Sequence, residues 1–228
     1  MNLYTSLQRV YKELDYSLGK AGKTREDITV LFATKYLSAQ EFVSFLDITK
    51  QFDIDNCVIG ENRVQDWEKK LGFIKEKRPE LLSAFTPVMI GTLQKNKVNK
   101  ALQIFQEIHS VDSVKLAQTI DKRVEKGRRV SIYLEVNVSG EERKHGFSPN
   151  DIYDAIETMK QLNNVTIEGF MTMAPLTDNI EEIRGIFRKL KELANQYKLK
   201  TSMGMSGDWK IAVEEGSDMV RIGSAVFA

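Results

Sequence analysis

The feature that most restricts this chain is an alternation of apolar runs and amphipathic stretches, repeated eight times. The runs are short and rich in β-branched residues: Ile28 to Thr34, Cys57 to Gly60, Phe85 to Ile90, Phe105 to Val111, Val130 to Val138, Val165 to Met173, Thr201 to Met205 and Met219 to Ile222. That composition and length read as strands. Between them lie stretches with helical spacing: Ser38 to Thr49, Glu61 to Lys77, Lys95 to Gln103, Ser113 to Glu125, Pro149 to Leu162, Asn179 to Tyr197 and Asp208 to Glu215. Ser38 is placed as an N-cap, and Gly127 and Gly216 stand where their helices stop. A further amphipathic helix, Met1 to Gly19, comes first, with Leu3, Leu7, Val10, Leu14 and Leu18 on its apolar face. Strict alternation of strand and helix implies parallel pairing with right-handed crossovers. Eight such units can close into a barrel, and an open doubly wound sheet is the alternative that satisfies the same pattern.

A length of 228 residues suits one α/β barrel. No linker, low-complexity tract or internal repeat divides the chain, so one domain is expected over 1–228, with the added helix at 1–20 and the barrel at 28–227. Lysine plus arginine (33) nearly cancels aspartate plus glutamate (32), and the formal net charge of +1 argues against nucleic acid or anionic membrane as a wholesale partner. Cys57 is the only cysteine, which excludes an intramolecular disulfide and suits a reducing compartment. The first helix lacks the apolar core of a signal peptide, and no segment approaches the roughly 18 apolar residues of a membrane span. A cytoplasmic protein is expected.

In a barrel of this kind chemistry sits where the strands end. Those ends are Lys35, Gly60 to Asn62, Gly91 and Thr92, Asp112, Asn137, Met171 to Ala174, Ser206 and Gly207, and Gly223 and Ser224. An ammonium at the inner end of an apolar strand is costly to desolvate unless paired or neutralised, and the free amine is the form that attacks a carbonyl. Lys35 is therefore a candidate Schiff-base lysine, although a lysine whose head reaches water explains the position as well. At the far end of the chain, Ser206 and Ser224 stand as hydroxyl donors beside Gly207 and Gly223, after strands seven and eight. Loops there form the usual phosphate site of the fold. A Schiff-base lysine facing a phosphate cradle is what a phosphorylated aldehyde requires.

Other features carry less. Lys95, Lys97 and Lys100 with Lys122, Arg123, Lys126, Arg128 and Arg129 are interspersed without aromatic platforms, as on solvated helix faces. His109 and His145 are too isolated for a metal site, and Cys57, Trp67 and Trp209 read as packing residues. Lys144, in the loop from Gly140 to Gly146, is either a surface lysine or a transient cofactor contact.

Several segments together resemble successive motifs of the pyridoxal phosphate homeostasis proteins: Phe32-Ala-Thr-Lys35, Gly60-Glu-Asn-Arg-Val-Gln65, Ile90-Gly-Thr-Leu-Gln-Lys-Asn-Lys97, Val136-Asn-Val-Ser-Gly140, Gly169-Phe-Met-Thr-Met173, Ser202-Met-Gly-Met-Ser206 and Val220-Arg-Ile-Gly-Ser224. The resemblance is collinear from Ile28 to Phe227. It implies the barrel of the alanine racemase N-terminal domain and the cofactor pyridoxal 5′-phosphate. By the same resemblance Lys35 looks like the Schiff-base lysine, and Ser206, Gly223 and Ser224 like the phosphate-binding groups. Arg221 looks like the residue facing the pyridine nitrogen, and Asn62 and Met203 like further cofactor contacts. The implied role is cofactor binding in vitamin B6 and amino-acid homeostasis without established turnover, with pyridoxal-dependent acceptor enzymes as partners. The chain ends soon after strand eight, where a racemase continues into a second domain, so a carrier is expected over the alternative, a weak amino-acid racemase of the same fold type. A phosphate-ligand isomerase without a Schiff base is a third reading. A monomer is expected, since no long exposed apolar stripe is left over. Two departures stand out: the segment leading to Gly60 is long, which makes the Asp47 to Asn56 loop unusual, and Val88 stands where a histidine often precedes the Ile-Gly pair.

Overall fold

Eight parallel strands close on themselves in chain order. They are β1 (Thr29–Ala33), β2 (Cys57–Glu61), β3 (Phe85–Met89), β4 (Glu107–Val111), β5 (Val130–Glu135), β6 (Val165–Met171), β7 (Lys200–Ser202) and β8 (Met219–Ile222). The computed structural model describes every residue except Met1, Asp53, Asp55, Glu142 and Arg143. The register that closes the barrel sets Phe32 of β1 beside Ile59 of β2 on one side and Ile222 of β8 on the other. An open sheet is thereby excluded, because both edges of β1 are paired.

The helices are α1 (Leu3–Lys20), α2 (Ala39–Thr49), α3 (Val64–Lys77), α4 (Val98–Ile104), α5 (Val114–Arg123), α6 (Ile152–Met159), α7 (Ile180–Tyr197), α8 (Trp209–Glu214) and α9 (Ser224–Phe227). Ser38 caps α2 as expected: its hydroxyl accepts from the Glu41 amide while the Glu41 carboxylate accepts from the Ser38 amide. Side chains alternate across each strand, so Phe32 joins the large core between sheet and helices while Leu31 joins a separate plug with Val88 and Met219. Helix α1 contributes Leu7, Val10, Leu14 and Leu18 to the large core. It lies against α8 and α9, and Arg9 Nη2 donates to the Ala225 carbonyl at 2.8 Å.

Some boundaries differ from those expected. β5 stops at Glu135 rather than Val138 because the chain folds back on itself: Phe147 donates to the Glu135 carbonyl and Asn137 to the Phe147 carbonyl. β7 stops at Ser202 because Gly204, at φ 93°, turns the chain where L side chains are strained. Glu61 belongs to β2, paired with Met89, so α3 starts only at Val64. In the supposed Asp47 to Asn56 loop, α2 runs on to Thr49 and a 3-10 turn covers Lys50–Phe52, while Asp53 and Asp55 lie outside the described residues. Residues Ser224–Phe227, left without an assignment by the sequence, form a short helix. Among the described residues no helix is long and apolar enough to cross a membrane.

The joint core makes a direct prediction. Leu14→Ala, at a side chain 1% exposed, is expected to lower unfolding free energy in urea by about 2–5 kcal/mol. The neighbouring Tyr16→Ala, 68% exposed, should stay within about 0.5 kcal/mol; equal effects would show that α1 is not part of the cooperative unit.

Candidate functional site

Past Ala33 the chain leaves β1 in a 3-10 turn, Thr34–Tyr36. Lys35 is therefore two residues beyond the strand, with an exposed side chain whose ammonium lies 5.0 Å from the centre of the Tyr36 ring. The expectation of a lysine desolvated on the strand's inner end is corrected: what marks Lys35 is its place in a cavity, not burial.

That cavity, about 300 Å³, opens among the C-terminal strand ends. Lys35, Asn62, Ser206, Arg221, Gly223 and Ser224 all line it. Met203 does not. It is wholly buried in the main core, and after the turn at Gly204 it is Met205 that reaches the cavity wall.

The two loops after β7 and β8 are bound to each other. Ser206 Oγ accepts from the amides of Gly223 at 3.1 Å and Ala225 at 3.2 Å, which leaves its hydroxyl hydrogen to donate. The amides of Ser206, Gly207 and Ser224 have no partner among the described residues. The Asp208 carboxylate, accepting from the Met205 amide at 2.5 Å, shapes the first loop. At Gly223 an added Cβ would come within 3.3 Å of the Ala33 Cβ, so a side chain there would crowd β1. Free amides and a hydroxyl around one concavity make an anion cradle.

Arg221 enters the cavity from β8, 6% exposed. Its Nη1 donates to the Ser202 carbonyl at 2.7 Å and hydroxyl at 2.8 Å, and Nη2 to the Thr172 carbonyl at 2.8 Å. Burial pushes its pKa down to about 10, which still leaves a cation at neutral pH.

Tyr36, His109, Ile90 and Met205 also line the cavity, and sequence reasoning missed them. His109 Nε2 lies 2.8 Å from Glu107 Oε2. The hydrogen bond to His109 holds the Glu107 carboxyl below its ordinary value, and burial holds the imidazole below its own. A neutral ring that donates from Nε2 to a carboxylate leaves a lone pair on Nδ1, and that atom has no partner among the described residues. The ring lies 3.9 Å, centre to centre, from Tyr133. Only strand ends were taken as mouth positions, and His109 lies inside β4, where a register shift between Ile108 and Val111 breaks the simple alternation.

A second cavity of about 540 Å³ adjoins the first through Asn62, Ile90 and Met173. Its wall includes Glu135, whose carboxyl is pushed above the ordinary range by burial and by Asp112. At the junction an added Cβ on Gly91 would stand 2.2 Å from the Asn62 carbonyl oxygen, so only glycine lets the β3 loop pass Asn62. Lys144 pairs with Glu141 and lines neither cavity.

A closed parallel barrel carrying an amine and an anion cradle at its mouth defines an alanine racemase N-terminal type of protein, and the family model described as alanine racemase, N-terminal domain, matches residues 60–228. An alanine racemase of Clostridium difficile shares the fold, with a TM-score of 0.68 at 14% identity over 95% of this chain and 56% of that one. More narrowly, the chain belongs to the pyridoxal phosphate homeostasis protein family: it is 35% identical over 238 residues to the Aquifex aeolicus member, covering 100% of this chain and 98% of the relative. PipY of Synechococcus elongatus, solved with PLP bound, superposes with a TM-score of 0.81 at 27% identity over 100% of both chains. A protein of Bifidobacterium adolescentis gives 0.88 at 30%, over 99% and 94%.

The buried imidazole sets a pH dependence. Folded His109 sits below its ordinary value of 6.5, so below that pH the unfolded chain takes up a proton that the folded chain refuses. Stability is full above about 6.5 and is lost as pH falls towards the folded value, at up to about 1.4 kcal/mol per pH unit. Urea unfolding between neutral and mildly acidic pH should show this slope, and His109→Gln should flatten it; an unchanged slope would reject the assignment.

Proposed function

We propose that this chain binds pyridoxal 5′-phosphate, holds it covalently on Lys35 as a Schiff base, and acts as a carrier in vitamin B6 and amino-acid homeostasis. The observation that carries this reading is the convergence of a primary amine and unpartnered anion donors in the wall of one cavity. The residues fit the group. The Ser206 hydroxyl with the Gly207 and Ser224 amides would hold the phosphate, and Gly223 keeps the space beside β1 open. When bound, the group supplies an aldehyde that condenses with the Lys35 amine as water leaves.

Arg221 supports a carrier over an enzyme. Its guanidinium, fixed by Ser202 and Thr172, would keep a pyridine nitrogen set against it unprotonated, and an unprotonated ring is a poor electron sink. Asn62, in the cavity wall, would be a further contact for the ring's polar edge, and Met205 would take the place expected of Met203. The loaded protein is proposed to act in the cytoplasm as a monomer, passing its cofactor to pyridoxal-dependent acceptor enzymes.

The test is spectroscopic and chemical. The purified chain incubated with pyridoxal 5′-phosphate should turn yellow, and borohydride should fix the cofactor on the peptide containing Lys35. Lys35→Ala should abolish the trapped adduct. A colourless protein, or an adduct mapped elsewhere, would overturn the reading.

A further inference from the structure

Lys35 presents a problem of placement. Its side chain is exposed, and the Tyr36 ring 5.0 Å away is a loose restraint. Four side-chain torsions are left to thermal motion, so where the amine can reach depends on how firmly the backbone turn beneath it is held. The residue before it is held from two directions. Thr34 is fully buried; its hydroxyl donates to Glu61 Oε1 at 2.7 Å, and its carbonyl accepts from Lys70 Nζ at 2.8 Å and from the Leu37 amide at 2.9 Å. Lys70 Nζ also donates to that same Glu61 oxygen at 2.6 Å. The pair is sealed from water, with side chains 8% and 1% exposed.

Stability is a weak reason for such an arrangement. Two charges taken out of water are repaid only when geometry and hydrogen bonding are both good, and apolar replacements of similar size commonly do as well or better. None of the three residues lines either cavity beside Lys35, so none is placed to touch a ligand there. Their bonds converge instead on the Thr34 side chain and on the carbonyl of the peptide that enters Lys35. Each comes from a different element: Thr34 opens the 3-10 turn, Glu61 ends β2 and Lys70 lies on α3. The Glu61 carbonyl in turn accepts from the Ile90 amide at 3.0 Å, which ties the same β2 end to the cavity wall that Asn62 and Ile90 form.

We infer that Thr34, Glu61 and Lys70 are positioning residues that clamp the turn carrying Lys35, so that its amine meets an aldehyde held by the loops of Ser206 and Ser224. This rests on the cofactor reading above. The step served is the formation of the carbon–nitrogen bond between Lys35 Nζ and the aldehyde carbon, with the carbonyl oxygen departing as water. Clamping acts on that bond and not on the phosphate cradle, which belongs to other loops.

That separation supplies the test. Full-length wild type, Thr34→Val, Thr34→Ser and Glu61→Gln are compared with two ligands: pyridoxal 5′-phosphate, followed by borohydride trapping at Lys35, and 4′-deoxypyridoxine 5′-phosphate, which keeps ring and phosphate but has no aldehyde. Thr34→Val, which preserves shape but cannot donate, is expected to slow adduct formation by about ten-fold or more, with affinity for the deoxy analogue held within about two-fold. Thr34→Ser should restore the wild-type rate. Glu61→Gln keeps an oxygen that accepts from Thr34 but no longer balances the Lys70 charge, so it should slow trapping less than Thr34→Val does, and if it does not fold, the valine and serine variants carry the comparison. Trapping by Thr34→Val at the wild-type rate, or equal weakening of both ligands, would overturn the clamp while leaving the cofactor reading intact. A wild-type chain that traps no adduct at Lys35 would overturn both.

Discussion

The pairing of β1 with β8 is the contact on which everything else depends. It joins a strand from the first seventh of the chain to the last strand before its end, through the register Leu31 to Arg221 and Phe32 to Ile222. Parallel strands hydrogen-bonded in this way end at the same level, so Lys35, just past β1, and Gly223, just past β8, come to the same mouth. The crowding that an added Cβ at Gly223 would meet from Ala33 measures how close those ends are. Were the sheet open, the amine and the anion cradle would stand at opposite edges and share no cavity.

Around that closure, polar groups are distributed by what can satisfy them. The plug inside the barrel is built on Leu31, Val88 and Met219, with Val58 and Ile90 packed against them; nearer the mouth it gives way to His109, Tyr133, Glu135 and Arg221. Each of these is costly to bury, and each finds a partner or faces a cavity. Arg221 is spread over three acceptors, His109 is tied to Glu107, and Glu135 looks into the second chamber. The Glu61–Lys70 pair lies in the layer between β2 and α3. The floor of the barrel is packed with hydrocarbon and its rim is tied by hydrogen bonds, while the Lys35 side chain stands exposed at the mouth.

Much of this was legible in the sequence, for identifiable reasons. The eight apolar runs declared themselves because a parallel strand covered on both faces is nearly continuous in hydrophobicity. Ser38 was legible as the cap of α2 because capping is local chemistry. Six of the seven expected cofactor-facing residues line one cavity. Met203, expected from the resemblance, lies in the main core, next to Ser202 on the opposite side of the chain, and Met205 reaches the cavity only past the turn at Gly204, which residue type does not record. His109 was overlooked because it lies inside β4 and not at its end, and its approach to the cavity wall is a matter of strand register.

The sequence by itself determined the order of elements, the parallel fold class and the chemistry available at the strand ends, since periodicity, capping and residue type are properties of neighbours along the chain. Only the tertiary structure decided that the sheet closes, that Lys35 lies beyond its strand and exposed, and that Glu61 and Lys70 meet beneath it. Those are contacts between residues far apart in the chain or on different elements, and their geometry is set by how the strands and helices pack together.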